Sequence, residues 1–408
     1  MNATQIFGTP ESAPRVFFRG LLCALRLVPD PRIARSRKHP LAELLFIAVT
    51  AMICRRTNFC EMHDFGEDRQ GWFLSFLELP NGIPSHDTFR RVLSLLPVDS
   101  LYHALSLFAR MLREAGCPDV VAIDGKALRR ARDLGQMAQY IVTAWSTRQH
   151  LALCQLKVRD KSNESTCIPG LLDKLDLDGA LATIDAIGCQ PAIAEKIRAR
   201  GGDYLLALKD NHPRVREEVE SAMRLQIRNG ELKRHRASTK GHGRIEERSC
   251  WVSTYIDWFA DRAKWKDLAC FVMVRARQWR RGPDGRTLEC DETRLYLCSR
   301  RIAPEEALRA TVAHWGIENQ LHWVLDVVWG EDQSRARDGY APQNLDLLCK
   351  TAYAMLRRAQ AEDTPDGREP ARSTSRQSNR ATDCPDYLER VLSTFNAVLP
   401  LFPEAKGA

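Results

Sequence analysis

The first hundred or so residues place apolar and polar positions with the period of helices. Leu41 to Cys54, LAELLFIAVTAMIC, is apolar apart from interruptions such as Glu43, and Pro40 opens it, so a buried helix is expected there. It is shorter than the roughly 20 apolar residues that a membrane span needs. Ser85 stands where a cap belongs, before HDTFRRVLSLL, whose Phe89, Val92, Leu93 and Leu96 fall on one face. Near residue 118 the pattern changes. DVVAID at 119–124, then residues 139–145 and 151–158, read as three strands. A helix follows at GLLDKL after Pro169, then a strand at LATIDAI (181–187). AIAEKIRARGG forms a second helix punctuated by Gly201 and Gly202, and residues 204–208 form a fifth strand. Three strands, then helix, strand, helix and strand, is the order of an RNase H-like mixed α/β sheet.

Residues 213–300 are polar and basic, with strand-like pieces at 270–274 and 294–298 and a PDG turn at 283–285. They predict an inserted β-rich segment. A long helix is expected from Pro304 to about Trp329, with Glu305 and Glu306 suited to its N-terminal dipole. Residues 361–383 hold no aliphatic side chain but alanine and predict a disordered linker, ahead of a short amphipathic tail, DYLERVLSTFNAVLPLF. The expected organisation is a helical N-terminal domain over 1–115 and a mixed α/β domain over 116–360 with its β-rich insertion at 213–300. A disordered linker and short helical tail follow over 361–408.

Composition narrows the class. With 44% hydrophobic and 27% charged residues among 408, the chain is globular, which excludes a collagen-like, largely disordered or membrane-embedded protein. The net charge of +8 permits a polyanionic partner without establishing one. Thirteen cysteines form no C-x-x-C pair and are odd in number, so a disulfide framework and a zinc pattern are both disfavoured. Cys23, Cys54, Cys154 and Cys298 lie in apolar stretches and read as small core residues. The first residues lack a basic start and an apolar run, so no secretory signal is read, and a cytoplasmic protein is expected, associated with the nucleoid when bound to DNA.

Three acids stand out by position. Asp124 ends the first strand, Asp185 is embedded in the apolar run ATIDAIG, and Glu318 lies in the middle of the long helix, in HWGIENQLHW. Aspartate is disfavoured inside strands and costly to bury alone, and two on neighbouring strands repel each other. A divalent cation between them removes that penalty. Mg²⁺ takes oxygen ligands, and a two-ion site activates a water or hydroxyl and stabilises the leaving oxygen of an in-line displacement. For any single strand-end aspartate, a cap or turn role is the commoner one; the combination with the fold order is what points to chemistry.

His314, Glu318 and His322 are spaced to share a helix face. Zinc is one reading of that face, although H-E-x-x-H is absent; packing of the two histidines against the sheet is another. Lys126 shares a strand face with Asp124 and suits a phosphate or plain solvent. Lys209, in KDNH after the fifth strand, either reaches the site or makes a turn. His242 and Arg244, in GHGRIEER, suit phosphate contact, as do the basic residues at 32–38 and 235–248. No G-x-G-x-x-G, P-loop or G-x-S-x-G occurs.

The chain resembles insertion-sequence DDE transposases of the H-repeat-associated branch. The resemblance is carried by SRKHPLAELLFIAVTAMICR, FGEDRQGWFLSFLELPNGIPSHDTFRRVLSLL, VVAIDGKALRRARD, KSNESTCIPGLLDKLDLDGALATIDAIGCQ, GGDYLLALKDNHP, KGHGRIEER and HWGIENQLHWVLDVVWGEDQSRARDGYAPQNL. These fall in order across roughly residues 30–355. It implies an RNase H-like core, Mg²⁺- or Mn²⁺-dependent cleavage at inverted repeats through two ions, and strand transfer into target DNA. Asp124, Asp185 and Glu318 would be the catalytic, metal-holding acids, and double-stranded DNA the partner of a homodimer or larger assembly. His314, Asn319 and His322 would join Lys126, Lys209, His242 and Arg244 as DNA contacts. The broader insertion-sequence signature Y-x2-R-x3-E-x6-K is not kept: Thr311, His314 and Leu325 occupy its Tyr, Arg and Lys positions. Two other classes stay open: a nuclease of the same fold that never joins ends, and a DNA-binding remnant without catalysis.

Overall fold

The computed structural model describes residues 19–111, 120–128, 139–158, 164–241, 244–281, 287–363 and 373–394. Six helices come first: α1 (Arg19–Arg26), α2 (Leu41–Ile53), α3 (Phe59–Asp68), α4 (Gln70–Leu74), α5 (His86–Leu95) and α6 (Val98–Met111). The apolar run becomes α2, buried nearly all round because it passes through the centre of the helical layer. Its one acid, Glu43, stays inside by accepting hydrogen bonds from the backbone N–H groups of Glu78 and Leu79 at 3.0 and 3.1 Å. Ser85 caps α5, and Phe89, Val92, Leu93 and Leu96 are all fully buried, as their spacing predicts.

The sheet begins with β1 (Val120–Leu128), β2 (Gln139–Ser146) and β3 (Leu151–Val158). It continues through α7 (Glu164–Asp173), β4 (Leu181–Ile184), α8 (Pro191–Ala199) and β5 (Asp203–Leu208). β1 to β3 are antiparallel neighbours, while β1, β4 and β5 run parallel. The order β3-β2-β1-β4-β5 is the RNase H-like arrangement expected from the sequence. It follows from antiparallel pairing of three consecutive strands and then two helical crossovers.

The inserted β-rich segment extends the sheet. After α9 (Pro213–Arg228), the strands β6 (Arg234–Gly241), β7 (Arg244–Ser253), β8 (Cys270–Arg281) and β9 (Thr287–Cys298) form a meander. β9 pairs antiparallel with β5, Leu206 opposite Leu297, so the sheet runs unbroken through nine strands. Extending the sheet satisfies the backbone groups that would otherwise form an open edge at β5. The PDG turn lies outside the described residues.

The expected long helix is interrupted. It consists of α10 (Pro304–His314), a π-helical turn (Ile317–His322) and α11 (Trp323–Val328), followed after a loop by α12 (Ala341–Asp363). The linker prediction is corrected as well. Residues 374–383 form α13 (Thr374–Asp383), and α14 (Pro385–Ser393) follows; residues 364–372 and 395–408 lie outside the described set. α13 has no aliphatic side chain larger than alanine, but it buries Gln377, Ser378 and Ala381, and Ser378 Oγ donates to the Ile53 carbonyl at 2.6 Å. Hydrogen bonding substitutes there for apolar burial, which is why composition did not reveal the helix.

One apolar core runs from α1 and α2 through the sheet to α12, Leu388 and Leu392. The helical layer and the sheet therefore share an interior. The cysteines among the described residues are free. No described helix is long and apolar enough to cross a membrane.

Candidate active site

Asp124 lies in β1 opposite Thr143 of β2, and Thr143 lies opposite Gln155 of β3. On the other side, Ile123 is level with Ile184 of β4, which puts Asp124 level with Asp185, the next residue of each chain segment. Side chains at one level of adjacent strands point to one face, and neighbouring strands are about 4.8 Å apart. The two aspartates thus lie just past the last β1–β4 pair; Asp185 directly follows β4, whereas β1 runs on to Leu128, so Asp124 sits within its strand instead of ending it as the sequence suggested.

Their surroundings differ. The Asp124 side chain is 20% exposed and the Asp185 side chain 47% exposed. Asp185 begins a turn whose geometry it fixes: its Oδ1 accepts from the Ile187 N–H at 2.8 Å, leaving Oδ2 outward, 3.9 Å from Lys209 Nζ. Gly188 lets this turn fold close, because a Cβ there would lie 2.3 Å from Ile184 Cγ2. The KDNH segment clasps the turn from outside. Asn211 Nδ2 donates to the Ala186 carbonyl at 2.6 Å, and His212 Nε2 lies 2.7 Å from the Cys189 carbonyl. The sequence left Lys209 between a site role and a turn role; the segment does both.

Glu318 sits in the π turn, exposed, with no hydrogen bond or ion pair among the described residues. π turns recur at functional sites because the extra residue re-aims a side chain. The histidines on either side of Glu318 pin the helix to the strand ends. His314 Nδ1 lies 3.0 Å from Thr183 Oγ1 on β4, and His322 Nδ1 lies 3.6 Å from Asp124 Oδ2 on β1. Among the described residues no three His, Cys, Asp or Glu side chains gather closely enough to form a ready metal cluster. Glu318 thus stands beside the two aspartates without closing on them.

Both histidines are turned inward to the strands, the packing alternative that the sequence offered. Burial holds His314 neutral, pushing its pKa down to about 4, and His322 down to about 3, where the charges of Lys350 and Lys126 add to the effect. They are neutral anchors. An acid sensitivity follows. In the unfolded chain each imidazole takes a proton near pH 6.5, whereas the folded protein resists until about pH 4 and about pH 3. The unfolded state binds more protons across that interval, so stability falls as pH drops from about 6.5 towards 4. Urea midpoints at pH 7 and pH 5.5 should show the loss, and H314Q/H322Q should show a smaller one. A loss equally large in that variant would exonerate the histidines.

Lys126 turns inward instead of meeting solvent or phosphate. Its Nζ donates to Asp326 Oδ1 at 2.6 Å and to Glu331 Oε2. Burial works against the Lys126 charge, but the two carboxylates outweigh it and hold the ammonium above the ordinary lysine value. Next to it, the buried Lys350 of α12 spends all three donors, on Thr143 Oγ1 (2.8 Å), Gln155 Oε1 (3.0 Å) and Asp346 Oδ2 (2.8 Å). Burial, with the Asp346 charge, pushes the Glu331 carboxyl up to about 7. A chain of buried charge therefore underlies the strand row that carries Asp124.

Other expected contacts are placed differently. Arg32 is buried on Asp30, Arg236 pairs with Glu247 and Arg248 with Glu246, so these three are already neutralised. Asn319 is exposed and donates to the Trp315 carbonyl at 3.2 Å, beside the groove where the Arg294 guanidinium stacks 3.8 Å over the Trp315 ring. Arg244 opens β7, and His242 lies outside the described residues.

The nine-strand mixed sheet carries Asp124 within β1 and Asp185 just after β4, with Glu318 on the covering helix. The family described as Transposase DDE domain matches residues 115–355, and the DDE_Tnp_1-associated family matches residues 22–109. The chain belongs to the DDE transposases, enzymes of DNA cleavage and strand transfer. It is 36% identical to the Putative transposase YncI of Escherichia coli O157:H7, over 83% of this chain and 87% of that one. It is 34% identical to the H repeat-associated putative transposase YhhI of Escherichia coli K12, over 78% and 85%. The piggyBac transposase synaptic complex with hairpin DNA is a distant structural neighbour, with a TM-score of 0.42 and 10% identity over 99% of this chain and 83% of that chain.

Proposed function

We propose that this transposase cuts DNA at the inverted repeats of its element and joins the freed 3′ ends to target DNA through Asp124, Asp185 and Glu318, with divalent metal ions. The observation that supports the reading is that Asp124 and Asp185 each follow directly on the paired Ile123 and Ile184, with the helix of Glu318 bonded to β4 through His314. An all-carboxylate oxygen set fits Mg²⁺ or Mn²⁺ better than zinc or copper. When bound, two such ions supply charge for activating the attacking oxygen and stabilising the leaving one.

The chain's own residues do the positioning. His314 bonds Thr183, beside Asp185, and His322 lies 3.6 Å from Asp124, so the helix is tied to β4 and packed against β1. The Ile187 N–H fixes one oxygen of Asp185 and leaves the other facing the cleft. Lys209, exposed beside that oxygen, meets the phosphate charge of an arriving strand. Glu318 completes the set by a small movement of the π turn when DNA and ions arrive. The acting form is a dimer or larger assembly, because two element ends must be held together.

The test is a cleavage and joining assay on DNA carrying the gene's flanking inverted repeats, with Mg²⁺ and with EDTA. Nicks at the repeat ends that require the ion, and that are lost in D185A, are expected together with joined products. Nicks without joining would identify a nuclease. Binding without nicks would identify a remnant. Equal cleavage by D185A would remove Asp185 from the site.

A further inference from the structure

The phrase GEDQSRARDGY, just after α11, is not used by the catalytic carboxylates. Its loop borders a cleft of about 700 Å³ whose far wall is the helical layer, including Met52, Phe59 and Arg90. Both ends of the loop are fastened. At the start, Trp329 Nε1 donates to the Met52 carbonyl at 2.8 Å and Glu331 takes the Lys126 ammonium. At the end, Arg90 Nη1 donates to Asp338 Oδ2 at 2.7 Å and the Tyr340 N–H to the Ser94 carbonyl at 3.0 Å. Gly339 has φ +50, and a Cβ there would lie 2.3 Å from the Ser94 oxygen, so only glycine allows this approach.

Between these anchors Ala336 packs on the core, and Arg335 and Arg337 flank it, exposed at the mouth of the cleft. Neither guanidinium makes a hydrogen bond or ion pair among the described residues. Many surface arginines close on an acid, among them Arg198, Arg214, Arg236, Arg275 and Arg294; Arg335 and Arg337 are two unpaired ones set side by side at a cleft mouth. The acids on the cleft floor do not serve the pair, because Lys126 meets Glu331 and Lys350 meets Asp346. The mouth therefore presents two fixed, uncompensated guanidinium groups, whose fork of donors suits phosphate oxygens.

We propose that Arg335 and Arg337 grip backbone phosphates of the DNA strand that runs from the catalytic carboxylates into the cleft between sheet and helical layer. The inference rests on the DNA reading above. The cleft adjoins the catalytic centre through Lys126, two residues beyond Asp124 on β1, which anchors the loop by way of Glu331. The two arginines supply register and affinity without reading bases, the usual division of labour at DNA backbones.

The test is fluorescence anisotropy with the full chain and two labelled duplexes of equal length, one carrying the repeat end and one scrambled. Salt is varied from roughly 50 to 200 mM, the range over which phosphate contacts set the slope of log K against log salt. R335A/R337A is expected to flatten that slope by about 2 and to weaken binding by about 10- to 100-fold on both duplexes. R335K/R337K, which keeps the charge, should retain most of the slope, and thermal melting should confirm that both variants are folded. Wild-type slope and affinity in R335A/R337A would overturn the proposal while leaving the DNA reading intact. A wild-type chain that binds neither duplex would overturn both.

Discussion

Asp124→Asn should abolish repeat-end cleavage while leaving the fold intact. Asparagine keeps the size of the side chain and its contact with His322, and removes only the charge. That charge lies one residue past the Ile123–Ile184 pair, as Asp185 does on the neighbouring segment, and is the part of the side chain a cation would use. Metal-stabilised charge in the transition state is worth several kcal/mol, so a fall in rate of about a thousand-fold or more is expected. The melting temperature should stay level or rise, as it does when like charges are separated from one another. Gel-resolved nicking under single turnover, with a melting curve on the same preparation, checks both parts. Cleavage within tenfold of wild type would remove Asp124 from the catalytic set. An unfolded variant would show that the aspartate is structural.

Lys350→Met should be the most destabilising single change away from the apolar core. Methionine fills the space but leaves Asp346 buried and unpaired, with Glu331 close by and Thr143 and Gln155 short of a donor. Breaking one side of a buried pair costs about 3–5 kcal/mol, whereas replacing both sides with apolar groups is often close to neutral. K350M/D346L should therefore recover much of the stability that K350M loses. Denaturant midpoints of the three proteins decide the matter. A single-variant loss below about 1 kcal/mol, the range of an exposed pair, would show that water reaches the site.

These two predictions draw on different depths of the sequence. Asp124 and Asp185 are visible because each interrupts an apolar strand with a charge, and the alternation of strands and helices sets those strands side by side. The five-strand order and the capped helix at Ser85 are legible for the same reason: neighbouring residues determine them. Lys350 is not legible. Its partners Thr143 and Gln155 lie 207 and 195 residues away, and within its own segment it reads as the polar side of an amphipathic helix. The π turn leaves no mark, since HWGIENQLHW has the spacing of an ordinary helix, and so the sequence left the two histidines open between packing against the sheet, zinc ligation and DNA contact. Lys126 misled in the same way, because the acids that claim it lie 200 and 205 residues onward. The continuation of the sheet through β9 depends on which edge β5 leaves open, which is a property of the assembled sheet.

The docking of α13 on the end of α2 sets a timetable for synthesis. Ser378 reaches back 325 residues to Ile53, and Arg55 and Arg69 also bond to residues of α13. At about 5–20 residues per second, roughly 15–65 s pass between the emergence of the two contacting segments from the ribosome. Throughout that interval the first helices to be made have one side uncovered. A copy of the gene that stops early yields a chain whose oldest part is permanently unfinished, with apolar and hydrogen-bonding surface open to chaperones and proteases. Loss of a short stretch at the 3′ end would thus remove the partners of Ile53, Arg55 and Arg69 without touching the three acids.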